Sequence, residues 1–347
     1  FRIWEEMRGF KTIKKQPTQP QSQPQYEVAD VLNKLGSKLE DLGLNSWQLR
    51  TLFALKKCRT SALGGHIDAC DECGNISISY NSCRNRHCPK CQGRNREDWI
   101  QTRETELLPV PYFHVVFTLP EVLNKTALHE PKMLYDILFE SAWETLQTFG
   151  KNKNLQMGMI AVLHTWGQNL SLHPHLHCIV PGGGVDENGA WKNIKNDGKF
   201  LFPVKALSKV FRAKFCEKLK ANLKDKFNEN QENEYEKIRQ SLWEKPWVVY
   251  AKKPFGSPKS VVEYLGRYTH KIAISNGRIR GIDDKTVTFD YKDYRQKGIK
   301  KQMVLSHEEF IRRFAMHILP KRFVKIRHYG FLSSTWKRIK LKNLQQK

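Results

Sequence analysis

Three histidines stand at alternate positions in Leu172-His-Pro-His-Leu-His-Cys-Ile-Val180. Side chains on a strand alternate between faces, so His173, His175 and His177 share one face and Leu176, Cys178 and Val180 take the other. Imidazoles at adjacent same-face positions lie about 7 Å apart along the strand, close enough to converge on one divalent cation. A lone histidine is more often a hydrogen-bonded core residue. Three at period two, followed by Pro181-Gly-Gly-Gly184, point to a metal instead. The segment Val261-Val-Glu-Tyr-Leu-Gly-Arg-Tyr268 places Tyr264 and Tyr268 four apart, on one face of a helix. Taken alone, two aromatics at that spacing are ordinary core. Beside a metal-binding strand they become candidate nucleophiles for a phosphate ester. An unperturbed tyrosine ionises at about pH 10, so it needs a cation on the phosphate and nearby Lys or Arg to attack.

Six of the eight cysteines fall between Cys58 and Cys91. Cys70-x2-Cys73 and Cys88-x2-Cys91 are two knuckles separated by 14 residues. Each knuckle turns two thiolates toward one ion, and two knuckles complete the tetrahedron that zinc prefers. Cys58, His66, Cys83 and His87 lie in the same segment. Either they close a second, interleaved zinc site, or the cysteines are small buried apolars and the histidines contact phosphate. Arg84, Arg86, Lys90, Arg94 and Arg96 surround the second knuckle, which gives the module a basic face suited to DNA.

The elements that must carry these groups are read from periodicity. Apolar positions from Val31 to Phe53 predict two short helices broken near Gly43–Asn45, leading into Cys58. Strand-like runs follow at Phe113–Leu119, Gly158–Trp166, His175–Val180 and Trp247–Ala251. Helices are expected at 98–108, 131–149, 208–227, 229–244 and 258–270. Lys271–Ile274, Arg278–Ile282 and Thr286–Tyr291 read as a β-meander. Ser306-His-Glu-Glu309 is a capping box opening a helix that Pro320 stops. This order predicts an α+β fold with an antiparallel sheet. The expected divisions are a Gln/Pro-rich leader over 1–27, helices and zinc module over 28–97, a catalytic domain over 98–292 with a helical insert near 205–245, and a basic DNA-binding extension over 293–347.

The chain has 59 Lys plus Arg against 35 Asp plus Glu, a formal charge of +24, so nucleic acid is the first partner to expect. From Lys297 onward there are fourteen Lys or Arg and two Glu. No stretch of about 18 uncharged apolar residues exists, which excludes a helical membrane span, and no basic-then-apolar leader is present. Clustered cysteines in such a chain read as metal ligands in a reducing compartment, so a cytoplasmic location is expected. No Gly-x4-Gly-Lys-Ser/Thr loop is found, consistent with chemistry that needs no nucleoside triphosphate.

His175-Leu176-His177 resembles the HUH motif, and Tyr264-x3-Tyr268 resembles the two-tyrosine signature that accompanies it. With Cys58-Arg-Thr-Ser-Ala-Leu-Gly-Gly-His66 and Asn81-Ser-Cys-Arg-Asn-Arg-His-Cys-Pro-Lys-Cys91, the chain resembles the IS91 family of transposases over about residues 30–335. The resemblance implies a ferredoxin- or RRM-like HUH endonuclease core in a bacterial, nucleoid-associated protein. It implies rolling-circle chemistry, in which a tyrosine attacks single-stranded or hairpin element-end DNA, forming a 5′-phosphotyrosine and freeing a 3′-OH. It also implies a third metal ligand beside His175 and His177. Gln168 is the expected one and His173 its competitor. The implied catalytic ion is Mg²⁺ or Mn²⁺, with Mn²⁺ favoured by imidazole ligands. Lys271, a few residues beyond the tyrosines, is expected to contact the transition state. The competing readings are a replication initiator or relaxase with the same chemistry, and a zinc-dependent DNA-binding regulator without catalysis. A three-carboxylate transposase is disfavoured, because the acidic residues cluster in helices rather than at strand ends. Oligomeric state is left open by the sequence.

Overall fold

Apolar residues at helical spacing near the start of the chain form two helices in the computed structural model, which describes residues 24–92, 100–102, 106–194, 201–224, 229–252, 260–261, 264, 266, 271–336 and 341–345. Helix α1 (Val28–Leu35) buries Val28, Val31, Leu32 and Leu35, and α2 (Ser46–Lys56) buries Leu52 and Leu55. Asn45 caps α2 by accepting from the Gln48 N–H while the Gln48 side chain accepts from the Asn45 N–H. The break between them is a 3-10 turn ending at Gly43, whose φ of 65° suits glycine. An exposed antiparallel hairpin follows, β1 (Gly65–Ala69) and β2 (Ile76–Tyr80).

The remaining elements are β3 (Tyr112–Thr118), α3 (Asn124–His129), α4 (Pro131–Lys151), β4 (Gly158–Trp166), β5 (Leu172–Pro181), the small hairpin β6 (Gly183–Val185) and β7 (Trp191–Asn193), α5 (Val204–Lys224), α6 (Glu229–Glu244) and β8 (Val249–Ala251). Then come β9 (Ile279–Ile282), β10 (Thr286–Asp293), β11 (Ile299–Ser306), α7 (His307–Ala315) and β12 (Ile326–Gly330). The central sheet has the order β12-β4-β5-β3-β8, and its pairs are antiparallel. The α+β, antiparallel architecture expected from the sequence is the one found.

Both faces of this sheet are covered, which is why its strands read as nearly continuous apolar runs. On one face Phe113, Val115, Phe117, Leu163, Leu176, Cys178 and Val180 join residues of α4 and α5 in the main core. On the other, Tyr112, Val162 and Ile179 pack against Val261. Ser260, Val261, Tyr264 and Gly266 are helical, in agreement with the expected tyrosine helix. That second face carries the histidines.

Two expectations change. Lys271–Ile274 is irregular, and the meander consists of β9, β10 and β11. The stretch 293–347, expected as a basic extension, supplies β11, α7 and the sheet-edge strand β12. Its charges mislead because they lie on outward faces or find partners. Arg327 pairs with Asp136 and lies 4.2 Å over the Phe139 ring. A side chain at Gly330 would collide with the Met157 carbonyl, so glycine lets β12 close onto β4. A second core joins α1, α2 and Cys58, Cys88 and Cys91 to Phe289, Phe310 and Phe314, so the N-terminal module and the C-terminal meander are packed as one body. Of the expected helix at 98–108, residues 100–102 are helical and 106–108 are not, while residues 98–99 and 103–105, like the leader up to residue 23, lie outside the described residues.

Candidate active site and metal centres

The base of the β1–β2 hairpin decides which cysteines meet. Arg59 N–H donates to the Asn81 carbonyl at 3.0 Å, which draws Cys58, just beyond α2, toward Cys83, just beyond β2. The sulfurs of Cys58, Cys83, Cys88 and Cys91 all lie within 4.8 Å of one another. The Cys58–Cys91 and Cys83–Cys91 separations are 3.5 and 3.7 Å. Tetrahedral zinc with bonds of about 2.3 Å requires sulfurs about 3.8 Å apart, so the four fit that ion. Burial pushes the Cys58 thiol up to about 11, while the Cys88 thiol donates to Cys83 and holds it down to about 5. Sulfurs so close and buried cannot all ionise unless a cation joins them.

The structure therefore groups Cys88 and Cys91 with Cys58 and Cys83, and not with Cys70 and Cys73. Those two sit exposed at the hairpin tip, five residues of strand away, or about 17 Å. His66 is exposed on β1, 3.5 Å from Asp68. His87 is half-buried, its Nε2 accepts the Leu319 N–H at 3.3 Å, and desolvation pushes its pKa down to about 3. His87 thus fastens the module to the segment after α7.

On the sheet, β4–β5 register sets His164 opposite His175, and the ring nitrogens of His164, His175 and His177 lie within 4.8 Å of one another. His175 Nδ1 donates to the His173 carbonyl at 2.6 Å, which leaves its Nε2 lone pair directed into the cluster, 3.2 Å from His177 Nε2. Burial, with the nearby His173 and Lys271, pushes His175 down to about 4, and burial with His175 and His114 drives His177 well below its usual range. Neutral imidazoles with converging lone pairs are the protonation state that a metal requires. His173 is exposed at the strand's start and meets the cluster through its carbonyl.

The register pairs His175 with His164 and not with Gln168. It occupies the tight β4–β5 turn, where Gly167 N–H donates to the Ser171 carbonyl and the Gln168 carbonyl accepts from Arg278. An antiparallel neighbour could have brought Gln168, seven residues before His175, alongside it, but residues 167–171 form the turn between the two strands. The missed residue is His164. A signal was present: a hairpin centred near residue 169 sets position 164 opposite 175.

Sequence reasoning also missed His114, on β3. Its Nε2 is 2.8 Å from His177 Nδ1, the rings stack at 5.0 Å, and its Nδ1 is 3.4 Å from the Tyr264 hydroxyl. With His177 Nε2 turned to the cluster, its Nδ1–H donates to His114 Nε2, and His114 Nδ1–H then points at the tyrosine oxygen. Lys252 lies 5.5 Å over the Tyr264 ring. Lys271 is close enough to depress both His175 and His177, and burial lowers its own pKa. Tyr268 lies outside the described residues.

Two family models match the chain. One, described as "Putative transposase", spans residues 158–339, and the other, described as "Transposase zinc-binding domain", spans residues 30–119. The chain is 44% identical over 328 residues to "Putative transposase y4qJ" of Sinorhizobium fredii, covering 91% of this chain and 82% of that protein. It is 29% identical over 306 residues to the "Transposase for insertion sequence element IS801" of Pseudomonas savastanoi pv. phaseolicola, covering 85% and 73%. No solved structure matches. No helix among the described residues is long and apolar enough to cross a membrane.

Proposed function

Since the chain belongs to the IS91 family of transposases, we propose that it cuts and rejoins single-stranded DNA with Tyr264 as nucleophile beside a cation site formed by His164, His175 and His177. The Tyr264 oxygen forms a bond to phosphorus as the P–O3′ bond breaks. The phenol gives up its proton to solvent, the 3′ oxygen leaves and takes a proton from solvent, and the 5′ side stays on the enzyme as a phosphotyrosine. A 3′-OH from another strand later attacks that ester and returns the phenol, so no nucleotide is consumed.

The observation that carries this reading is the chain of contacts from His177 through His114 to the Tyr264 hydroxyl, at 2.8 and 3.4 Å. A neutral His114 donating to the phenol oxygen favours its ionised form, which is the form that attacks. When bound, a divalent cation would neutralise the scissile phosphate and polarise it. Three neutral imidazoles suit Mn²⁺ better than Mg²⁺. Lys271 adds positive charge where the transition state gathers negative charge. Tyr268 is the second tyrosine of the pair and would hold a second strand during transfer. The zinc module and the basic surface bind the element end, in a cytoplasmic, nucleoid-associated protein.

The test is to incubate the protein with labelled single-stranded element-end DNA and Mn²⁺ and look for a denaturant-stable adduct. The adduct is expected with the wild type and lost in Tyr264→Phe. No adduct with any divalent ion, or an adduct that survives Tyr264→Phe combined with Tyr268→Phe, would overturn the reading.

A further inference from the structure

A pocket lies where the zinc module, the end of β4 and the segment before β12 meet. Arg86, His87, Trp166, Lys271, His317 and Lys325 are among its lining residues, and none of the described lining residues is acidic. Three of these, Arg86, Lys271 and Lys325, carry basic side chains. Arg86 anchors the wall, donating to the Phe323 and Pro320 carbonyls at 2.5 and 3.1 Å. Lys325 donates to the Lys271 carbonyl at 2.9 Å and sits 5.2 Å from the Trp166 ring centroid. A carbonyl and an aromatic face solvate an ammonium but do not neutralise it, and no carboxylate forms an ion pair with Lys325 among the described residues. Desolvation accordingly pushes Lys325 down to about 7. An ammonium such as that of Lys325, solvated but paired with no carboxylate among the described residues, favours the entry of an anion beside it.

The pocket shares a wall with the histidine cluster. Trp166 stacks on His164 with ring centroids 4.5 Å apart and planes 20° from parallel. An anion held beside Trp166 therefore sits next to the cation site without being in it.

We propose that this pocket binds a backbone phosphate of the DNA, one that flanks the phosphate being cut, through Lys325, Lys271 and Arg86. Its consequence is that the strand is held by a wall the zinc module helps to build, so the Cys-ligated ion supports DNA positioning at the histidine centre. The inference rests on the reading above only for the identity of the anion. It is independent of which tyrosine attacks.

The experiment uses the full-length chain with its zinc and no added divalent ion, in the wild type and in Tyr264→Phe. Thermal midpoints are compared in phosphate and in chloride at equal ionic strength, and binding of a short single-stranded oligonucleotide is titrated against salt. Phosphate should raise the midpoint of both proteins. Lys325→Met should raise the midpoint in chloride, abolish the increment from phosphate, weaken the oligonucleotide about ten-fold and reduce the salt slope by about 0.7. Lys325→Arg should keep the slope. The inference is overturned if Lys325→Met retains the phosphate increment, or leaves oligonucleotide affinity and slope unchanged. It is equally overturned if phosphate protects the wild type while the oligonucleotide's affinity ignores Lys325, because a free anion would then be the ligand. Since no step needs cleavage, an inactive protein that still passes would separate this inference from the nucleophile assignment.

Discussion

The chain brings two clusters of soft or borderline ligands together, and they differ in number and in surroundings. Cys58, Cys83, Cys88 and Cys91 supply four sulfurs, and three of the four are buried in a core shared with α1, α2 and α7. His164, His175 and His177 supply three nitrogens on a sheet face, with Tyr264 and Lys271 nearby. Four protein ligands fill a tetrahedral ion and leave it no chemistry, whereas three leave positions for substrate oxygens. On the function proposed above, ligand count would separate an ion that holds the fold from one that acts on a phosphate. The two lie on either side of the Arg86–Lys325 wall.

The sharpest way to break this contrast is to remove one sulfur. Cys58→Ser should lose the bound zinc, measured as metal per chain, and destabilise the shared core by about 4 kcal/mol or more. A variant that keeps one zinc and its thermal midpoint would return the structural site to another set of cysteines. Removing one nitrogen should have the opposite profile. His177→Ala should lower adduct formation roughly a thousand-fold while its far-UV spectrum and zinc content stay those of the wild type. Equal loss of fold would make the histidine cluster structural too.

A finer cut lies within the histidine cluster. His164→Ala should weaken Mn²⁺ binding by about 10- to 100-fold, read by the paramagnetic signal of free Mn²⁺. Gln168→Ala should leave that affinity within about two-fold, since the residue sits in the turn. The reverse result would restore Gln168 as the ligand.

These paired outcomes also show what the sequence made legible. The His-x-His strand could be read because a period of two is local, and the α2 cap and the Ser306 cap could be read because capping is local. The grouping of sulfurs could not, because the knuckle spacing is satisfied equally by Cys70 with Cys73 and by Cys88 with Cys91. What distinguishes them is the hairpin, whose base brings in Cys58 and whose tip carries Cys70 and Cys73 away. His114 was hidden for a similar reason. It is one histidine in an apolar run, and its meaning comes from β3 lying beside β5, with Val116 opposite His177. The basic character of the last fifty residues was read correctly as charge but not as architecture. On β11, Lys300 faces solvent while Lys301 lies on the half-buried face of Met303 and Leu305, paired with Asp293, so the run of charge hides the pattern of a sheet.

Between the two clusters, Lys325 gives a smaller, pH-dependent signal. Its folded pKa of about 7 is depressed from an unfolded value near 10.5, so the unfolded chain binds more protons between those limits. Stability should then rise with pH across that window, because the penalty for a charged buried amine fades as it deprotonates. Lys325→Met should flatten the rise, measured as the difference between the two proteins in denaturant midpoint from about pH 7 to 10. An identical slope in both would place the amine in water.

The smallest expected effect belongs to the hairpin tip. Cys70 and Cys73 are exposed, and the Cys70 thiol is held below its usual range first by the Cys73 and Glu72 backbone N–H groups. Such a knuckle presents two sulfurs, half of what a tetrahedral ion needs, and the described residues bring no third His, Cys, Asp or Glu ligand to it. Replacing both by serine should therefore leave one zinc per chain and change stability by less than about 0.5 kcal/mol. A fall from two zinc ions to one would mean that the tip finds its remaining ligands outside the described residues. The contrast would then stand between three sites, with the exposed one held together by whatever supplies the missing pair.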